Sequence, residues 1–246
     1  MSYVGDMIRL FVPHPLLADT AFPLDDAQSR YLSLVMRRAV GDEVEVFNGK
    51  DGAWVCRLDQ VTKRHVILCP KTQTSPQTEG PDLVLLMALV KRGPLETVIE
   101  KATELGVSEI WLVQTDRTNA DRIREDRLRA IAIEAAEQTG RLNVPLIRSP
   151  ARLDRCLDTW STDRRLIFCD EAGDSMPMQA ALGAVQPGPW AVLIGPEGGF
   201  SPAERARIRG LEGAVPVSLG PRILRADTAA ISALTLWQSA LGDWRG

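Results

Sequence analysis

The spacing of apolar residues changes near residue 80, and the change divides the chain in two. Before it, apolar residues come in short bursts. Met7–Val12 reads as a strand, Ala27 to Arg38 as a short helix and Gly41-Asp42 as a turn. Glu43-Val44-Glu45-Val46-Phe47 alternates as a half-buried strand does, Asn48-Gly49 opens a loop into Ala53–Leu58, and His65–Cys69 closes the set. Short strands joined by tight turns predict a small β-barrel. Pro70–Pro81 is polar and rich in breakers, so it reads as a linker between domains expected at 1–75 and 76–246.

Beyond the linker, Leu83–Leu89 is continuously apolar, as a strand buried on both faces requires. Leu95, Val98, Ile99, Ala102 and Leu105 then repeat at helical spacing up to Gly106. Strands at Glu109–Val113, Arg165–Cys169, Trp190–Ile194 and Ala214–Ser218 alternate with helices at Asp126–Thr139, Ser201–Leu211 and Thr228–Leu241. That alternation predicts an α/β domain whose parallel sheet is covered on both faces.

Composition narrows the class. The chain has 246 residues and is 45% hydrophobic, enough for a substantial core. No apolar run approaches the roughly 18–20 residues of a membrane span. Met1–Asp6 has neither the charged nor the apolar region of a signal peptide, so a cytoplasmic location is expected. Cys56, Cys69, Cys156 and Cys169 lack zinc or disulfide spacing, and His14 and His65 are too few for a histidine metal site, so no metal is expected. The net charge of −3 gives no global attraction to nucleic acid, which leaves local basic patches.

The chemistry concentrates in two segments that leave an apolar strand, pass a glycine-bearing turn and enter a helix. The first is Ile194-Gly195-Pro196-Glu197-Gly198-Gly199-Phe200, and the second is Ser218-Leu219-Gly220-Pro221-Arg222-Ile223-Leu224-Arg225-Ala226-Asp227-Thr228. Gly195, Gly198 and Gly199 allow close ligand approach and unusual φ. Ser201, Pro202 and Glu204 signal a capped helix after the first turn. No lysine and hydroxyl pair follows, and the G-x-G-x-x-G spacing is absent, so this is neither a Walker loop nor a dinucleotide fingerprint. Glu197 disfavours a phosphate, so a neutral or cationic ligand such as a sulfonium is expected here.

With these segments, Tyr31–Arg37 followed by Gly41-Asp42, Glu100–Val107 and Glu137–Pro145 complete an ordered set of motifs. Nearly the whole chain resembles the small-subunit (16S) ribosomal RNA uridine-N3 methyltransferases of the SPOUT class. The resemblance implies a PUA-like barrel that holds RNA, followed by an α/β methyltransferase domain with a deep trefoil knot. It also implies S-adenosylmethionine as cofactor, a homodimer, and the small subunit or its RNA as partner. By the same carry-over, Ile194, Gly195, Glu197, Gly198, Gly199, Leu219, Gly220, Ile223, Leu224 and Thr228 hold the cofactor, and Arg37, Arg38, Gln138, Gly140, Arg141 and Asn143 face RNA. The chain departs from the family at Ala226 and Asp227, where threonine and glutamate are usual, and at Thr139, where serine or cysteine is common.

Methylating uracil N3 requires loss of its proton and stabilisation of charge on the ring. Arg225, with Arg222, is the candidate for the second task, because arginine stays protonated. Asp227 and Glu197 are candidates for the first. Each has a plainer reading: Asp227 as an N-cap, Glu197 as a brace of its turn, and the arginines as partners of those carboxylates. Arg37, Arg38, Lys63, Arg64, Lys91 and Arg92 offer phosphate contacts. Arg117, Arg122, Arg124, Arg127 and Arg129 interleave with Asp116, Asp121, Glu125 and Asp126 and read as a solvated helix face. Two rivals stay open: a methyltransferase acting on another RNA, and an RNA-binding assembly factor that has lost catalysis.

Overall fold

The computed structural model describes residues 7–119, 123–170, 175–183 and 185–245, so Met1–Asp6, Asp121 and Arg122 lie outside the described residues. The chain forms two units, Met1–Glu79 with Ala136–Val144, and Gly80–Ala135 with Pro145–Gly246. The first thus ends a little beyond residue 75 and takes in a segment from far along the chain.

The first unit holds β1 (Arg9–Phe11), β2 (Phe22–Pro23), α1 (Asp26–Arg30), β3 (Glu43–Phe47), β4 (Ala53–Val61) and β5 (Val66–Ser75). They form a five-stranded sheet in the order β1-β3-β4-β5-β2, parallel only between β1 and β3. The alternation read in Glu43–Phe47 places Val44 and Val46 in a core with Leu10, Phe22, Leu32, Leu58 and Leu68. The helix expected over Ala27–Arg38 starts earlier and ends sooner. Asp25 caps it by accepting the Gln28 amide at 2.7 Å, and after Arg30 it widens into a π-helical turn over Tyr31–Val35. That turn keeps Leu32 buried and leaves Tyr31, Leu34 and Val35 exposed, and Arg37 then leaves the helix at φ +52°. β5 runs to Ser75, into the expected linker, because β4 keeps pairing with it across several bulges.

The second unit holds β6 (Leu83–Ala88), α2 (Arg92–Glu104), β7 (Glu109–Gln114), α3 (Glu125–Thr139, whose last turn belongs to the first unit), β8 (Leu146–Arg152) and α4 (Leu153–Asp158). It continues with β9 (Arg165–Cys169), β10 (Met176–Pro177), α5 (Met178–Leu182), β11 (Trp190–Ile194), α6 (Pro202–Arg209), β12 (Ala214–Ser218) and α7 (Ala226–Leu241). Its seven-stranded sheet runs β10-β12-β9-β11-β6-β7-β8, with every pair parallel. β6 and β11 are buried along their whole length, which is why their sequences carry no alternation. β8 escaped the sequence pattern because it is an edge strand, mostly exposed and containing Pro150.

α2 ends in a left-handed glycine, Gly106 at φ +81°. A β-carbon there would lie 2.6 Å from Nε2 of Gln238, which donates to the Leu105 carbonyl at 2.6 Å and so ties α7 to the end of α2. Gln238→Ala removes this buried donor and leaves a void, so the unfolding free energy falls by about 2–4 kcal/mol. A lower urea midpoint at unchanged slope is the expected reading. Burial, with the charge of Cys69, pushes the Cys56 thiol from 9.0 up to about 12. A raised folded value means that this thiol's contribution to stability is intact below 9.0 and is lost as pH climbs towards about 12. Cys56→Ala flattens the part of the loss due to this group when unfolding is followed across that range.

Candidate functional site

β12, β9 and β11 lie side by side, and the turns at their C-terminal ends enclose a cavity of about 650 Å³. Open α/β sheets place ligands at this end, and the size suits a small molecule. β11 and the turn after it contribute Ile194, Gly195, Glu197, Gly198 and Gly199, and the loop after β12 contributes Leu219, Gly220, Arg222, Ile223, Leu224 and Arg225. The two segments singled out in the sequence therefore form one wall.

The glycines have separate reasons. A β-carbon on Gly195 would meet the Phe200 ring at 2.7 Å, and one on Gly198 would stand 3.3 Å from Cβ of Arg117. Gly199 and Gly220 adopt φ +65° and +117°, which L side chains rarely tolerate. The Gly199 amide donates to the Pro196 carbonyl at 2.9 Å and closes the first turn. Beyond it the expected capping box is present: Ser201 Oγ accepts the Glu204 amide, and Glu204 Oε2 accepts the Ser201 amide at 2.8 Å.

Asp227 and Thr228 stand apart from the residues lining the cavity. The N-cap of α7 is Arg225, so Asp227 sits in the first turn rather than at the cap, and its Oδ1 accepts the Thr228 amide at 2.8 Å. Arg222 and Arg225 are exposed, and among the described residues no ion pair or hydrogen bond joins either to Glu197 or Asp227. Their reading as partners of those carboxylates is not realised.

Sequence reasoning gave no place at the cavity to Lys91, read as a phosphate contact, or to Arg117, Cys169, Asp170 and Arg205, which also line it. Asp170 directly follows β9, a position that a rule about strand ends would have flagged. It is 3% exposed, with one carboxylate oxygen 3.0 Å from Arg205 and 2.7 Å from Arg209. One carboxylate thus faces two guanidinium groups, and Nε of Arg205 is buried without a hydrogen-bond partner among the described residues. Arg117, assigned to the solvated basic face, instead donates to the Gly198 carbonyl at 3.1 Å. Arg124 does pair on that face, with Asp126 at 3.2 Å, and Arg127 lies 4.0 Å from Glu96 and Glu134. Arg92 binds Glu96 at 2.7 Å, which occupies one expected phosphate contact. Desolvation pushes the Cys169 thiol up to about 12, which makes it a poor nucleophile.

The residues expected to face RNA, Arg37, Arg38, Gln138, Gly140, Arg141 and Asn143, all fall in the first unit. Gly140 ends α3 at φ +75°, and Arg141 donates through Nε and Nη2 to Asn143 Oδ1 at 3.2 and 2.8 Å. Gln138 and Arg37 are exposed, while Nε of Arg38 is buried without a partner among the described residues. Among the described residues, no group of three or more His, Cys, Asp or Glu is placed to hold a metal, and no helix is long and apolar enough to cross a membrane.

Residues 78–238 match the family described as RNA methyltransferase domain, and residues 24–68 match the RNA methyltransferase PUA domain. The ribosomal RNA small subunit methyltransferase E of Rickettsia conorii is 27% identical, with 92% of this chain and 93% of that protein aligned. The protein of that name from Synechocystis is 31% identical over 92% of this chain and 75% of its own length. The crystal structure of the Neisseria gonorrhoeae enzyme of that name, bound to S-adenosyl methionine, superposes with a TM-score of 0.87 at 25% identity, covering 97% of this chain and all of that one (100%). A cavity at the strand ends, glycine turns that need their missing β-carbons, and these likenesses across both units agree, and the chain belongs to the RNA methyltransferase family.

Proposed function

We propose that this protein is an S-adenosylmethionine-dependent methyltransferase that makes N3-methyluridine in the RNA of the small ribosomal subunit. One observation carries the chemistry: Arg222 and Arg225 stand exposed on the wall of the strand-end cavity with no carboxylate drawn to them among the described residues. The reading extends to a cytoplasmic homodimer whose α/β domain carries a deep trefoil knot, as the resemblance implies.

The residues present fit the cofactor. Ile194, Leu219 and Leu224 supply apolar walls, and Gly195, Gly198 and Gly199 line the cavity without side chains of their own. When bound, S-adenosylmethionine supplies an electrophilic methyl group on a positively charged sulfur. With the cofactor bound, these turns would hold its methyl group towards the base. N3 loses its proton and gains the methyl group, whose bond to sulfur would break to leave a neutral thioether, and Arg225 and Arg222 oppose the negative charge that builds on the uracil ring and its carbonyl oxygens. Glu197 lies on the cavity wall and Asp227 does not, so Glu197 is the better placed of the two to take the proton.

Methyl transfer to small subunits lacking the modification tests this reading. Arg225→Ala lowers kcat by about 100-fold, while calorimetry finds S-adenosylmethionine affinity within about threefold of wild type. Unchanged turnover removes Arg225 from the mechanism. Mass mapping of RNA from a deletion strain loses one N3-methyluridine from the small subunit; an unaltered small-subunit RNA instead favours another RNA as substrate. Failure of the wild type to bind S-adenosylmethionine favours the assembly-factor reading, for which Ala226 and Asp227 are the motive.

A further inference from the structure

Away from the cavity, the first unit contains an arginine whose donors are engaged on all sides. Arg9 of β1 gives Nε to Glu45 Oε2 at 2.5 Å, Nη1 to the Ala136 carbonyl at 3.2 Å and Nη2 to the Arg141 carbonyl at 2.9 Å. Its guanidinium carbon lies 4.4 Å from the centre of the Phe47 ring, and its side chain is 14% exposed. Beside it, the Phe11 amide donates to Glu137 Oε1 at 2.9 Å, and Glu45 Oε1 accepts from Thr74 Oγ1.

The two carbonyls that Arg9 holds bracket the end of α3 and the left-handed turn at Gly140. A cation there complements the helix dipole. A planar guanidinium also sets the direction of each carbonyl, which a lysine ammonium does not. Glu45 neutralises Arg9 and burial withdraws it, so it is no phosphate ligand itself. What it controls is the conformation of residues 136–143, which carry Gln138, Gly140, Arg141 and Asn143. Arg141 in turn is oriented by Asn143.

We infer that Arg9 is a positioning residue for RNA: it clamps the end of α3 to β1 so that Gln138, Arg141 and Asn143 meet the RNA in one arrangement. This rests on the RNA methyltransferase reading above, and it assigns to β1 a task in substrate recognition.

The test uses the full chain with small subunits lacking the modification, and compares Arg9→Lys, Arg9→Met, Gln138→Ala and the Arg9→Lys, Gln138→Ala double variant. Arg9→Lys is expected to raise KM for the subunit about tenfold, leaving kcat and S-adenosylmethionine affinity at wild-type values and speeding amide exchange over residues 138–143. In the Gln138→Ala background the same change costs less than in the wild type, because part of its effect passes through Gln138. Unchanged KM in folded Arg9 variants overturns the inference, as do effects that multiply independently. Loss of the fold in both Arg9→Lys and Arg9→Met also overturns it, since Arg9 is then only part of the core. If the wild type methylates nothing, co-sedimentation with the same subunits decides. Weaker binding by the Arg9 variants keeps the inference while the catalytic reading fails, and no binding by the wild type ends both.

Discussion

The ring of Phe200 occupies the space that a side chain at Gly195 would need, and this close approach holds the site together. Phe200 is almost fully buried and meets Phe168 of β9 edge to face, with ring centres 5.2 Å apart. A residue just past the first turn is thereby anchored in the core of the sheet. The turn between cannot drift, and its backbone groups face the cavity from a fixed scaffold. The capping box at Ser201 and Glu204 secures the same end of the turn, where Glu204 Oε1 also accepts the Asp116 amide and Ser201 Oγ donates to Asp116 Oδ2. The other end continues from β11, which is buried along its whole length.

Charge is distributed unevenly around this scaffold. Asp170 is committed to Arg205 and Arg209, a buried carboxylate whose cost is offset by two guanidiniums. Arg222 and Arg225 have no such partner among the described residues, and the methylene lost between glutamate and Asp227 accompanies a side chain that serves the local backbone of α7. A site that must counter charge appearing only during reaction benefits from cations not already neutralised in the ground state. Of the two departures, Asp227 falls on a position that does not line the cavity, whereas Ala226 lines it and is nearly buried.

Legibility in the sequence followed burial. β9, β11 and β12 have the bounds their apolar runs announced; β11 and the middle of β9 are buried and leave an unbroken signal, whereas β12 is mostly half-buried. β8, half polar at the sheet edge, and the short helices α4 and α5 left none, since five or six residues cannot show a helical period. The π-helical turn at Tyr31–Val35 was read as ordinary helix, because one widened turn hardly disturbs the spacing of apolar residues.

From the chain alone came the two glycine turns, their capped helix, the class of parallel sheet and, through its motifs, the family. These are local properties, written in residues a few positions apart. Sheet order is not local. Only the arrangement β12-β9-β11-β6-β7 brings Asp170, Arg117 and Lys91 to the cavity formed by those turns, and only the fold gathers residues 136–144 with β1 and Arg9. Contacts between residues over a hundred positions apart depend on how whole elements pack, and no pattern within a short window encodes that.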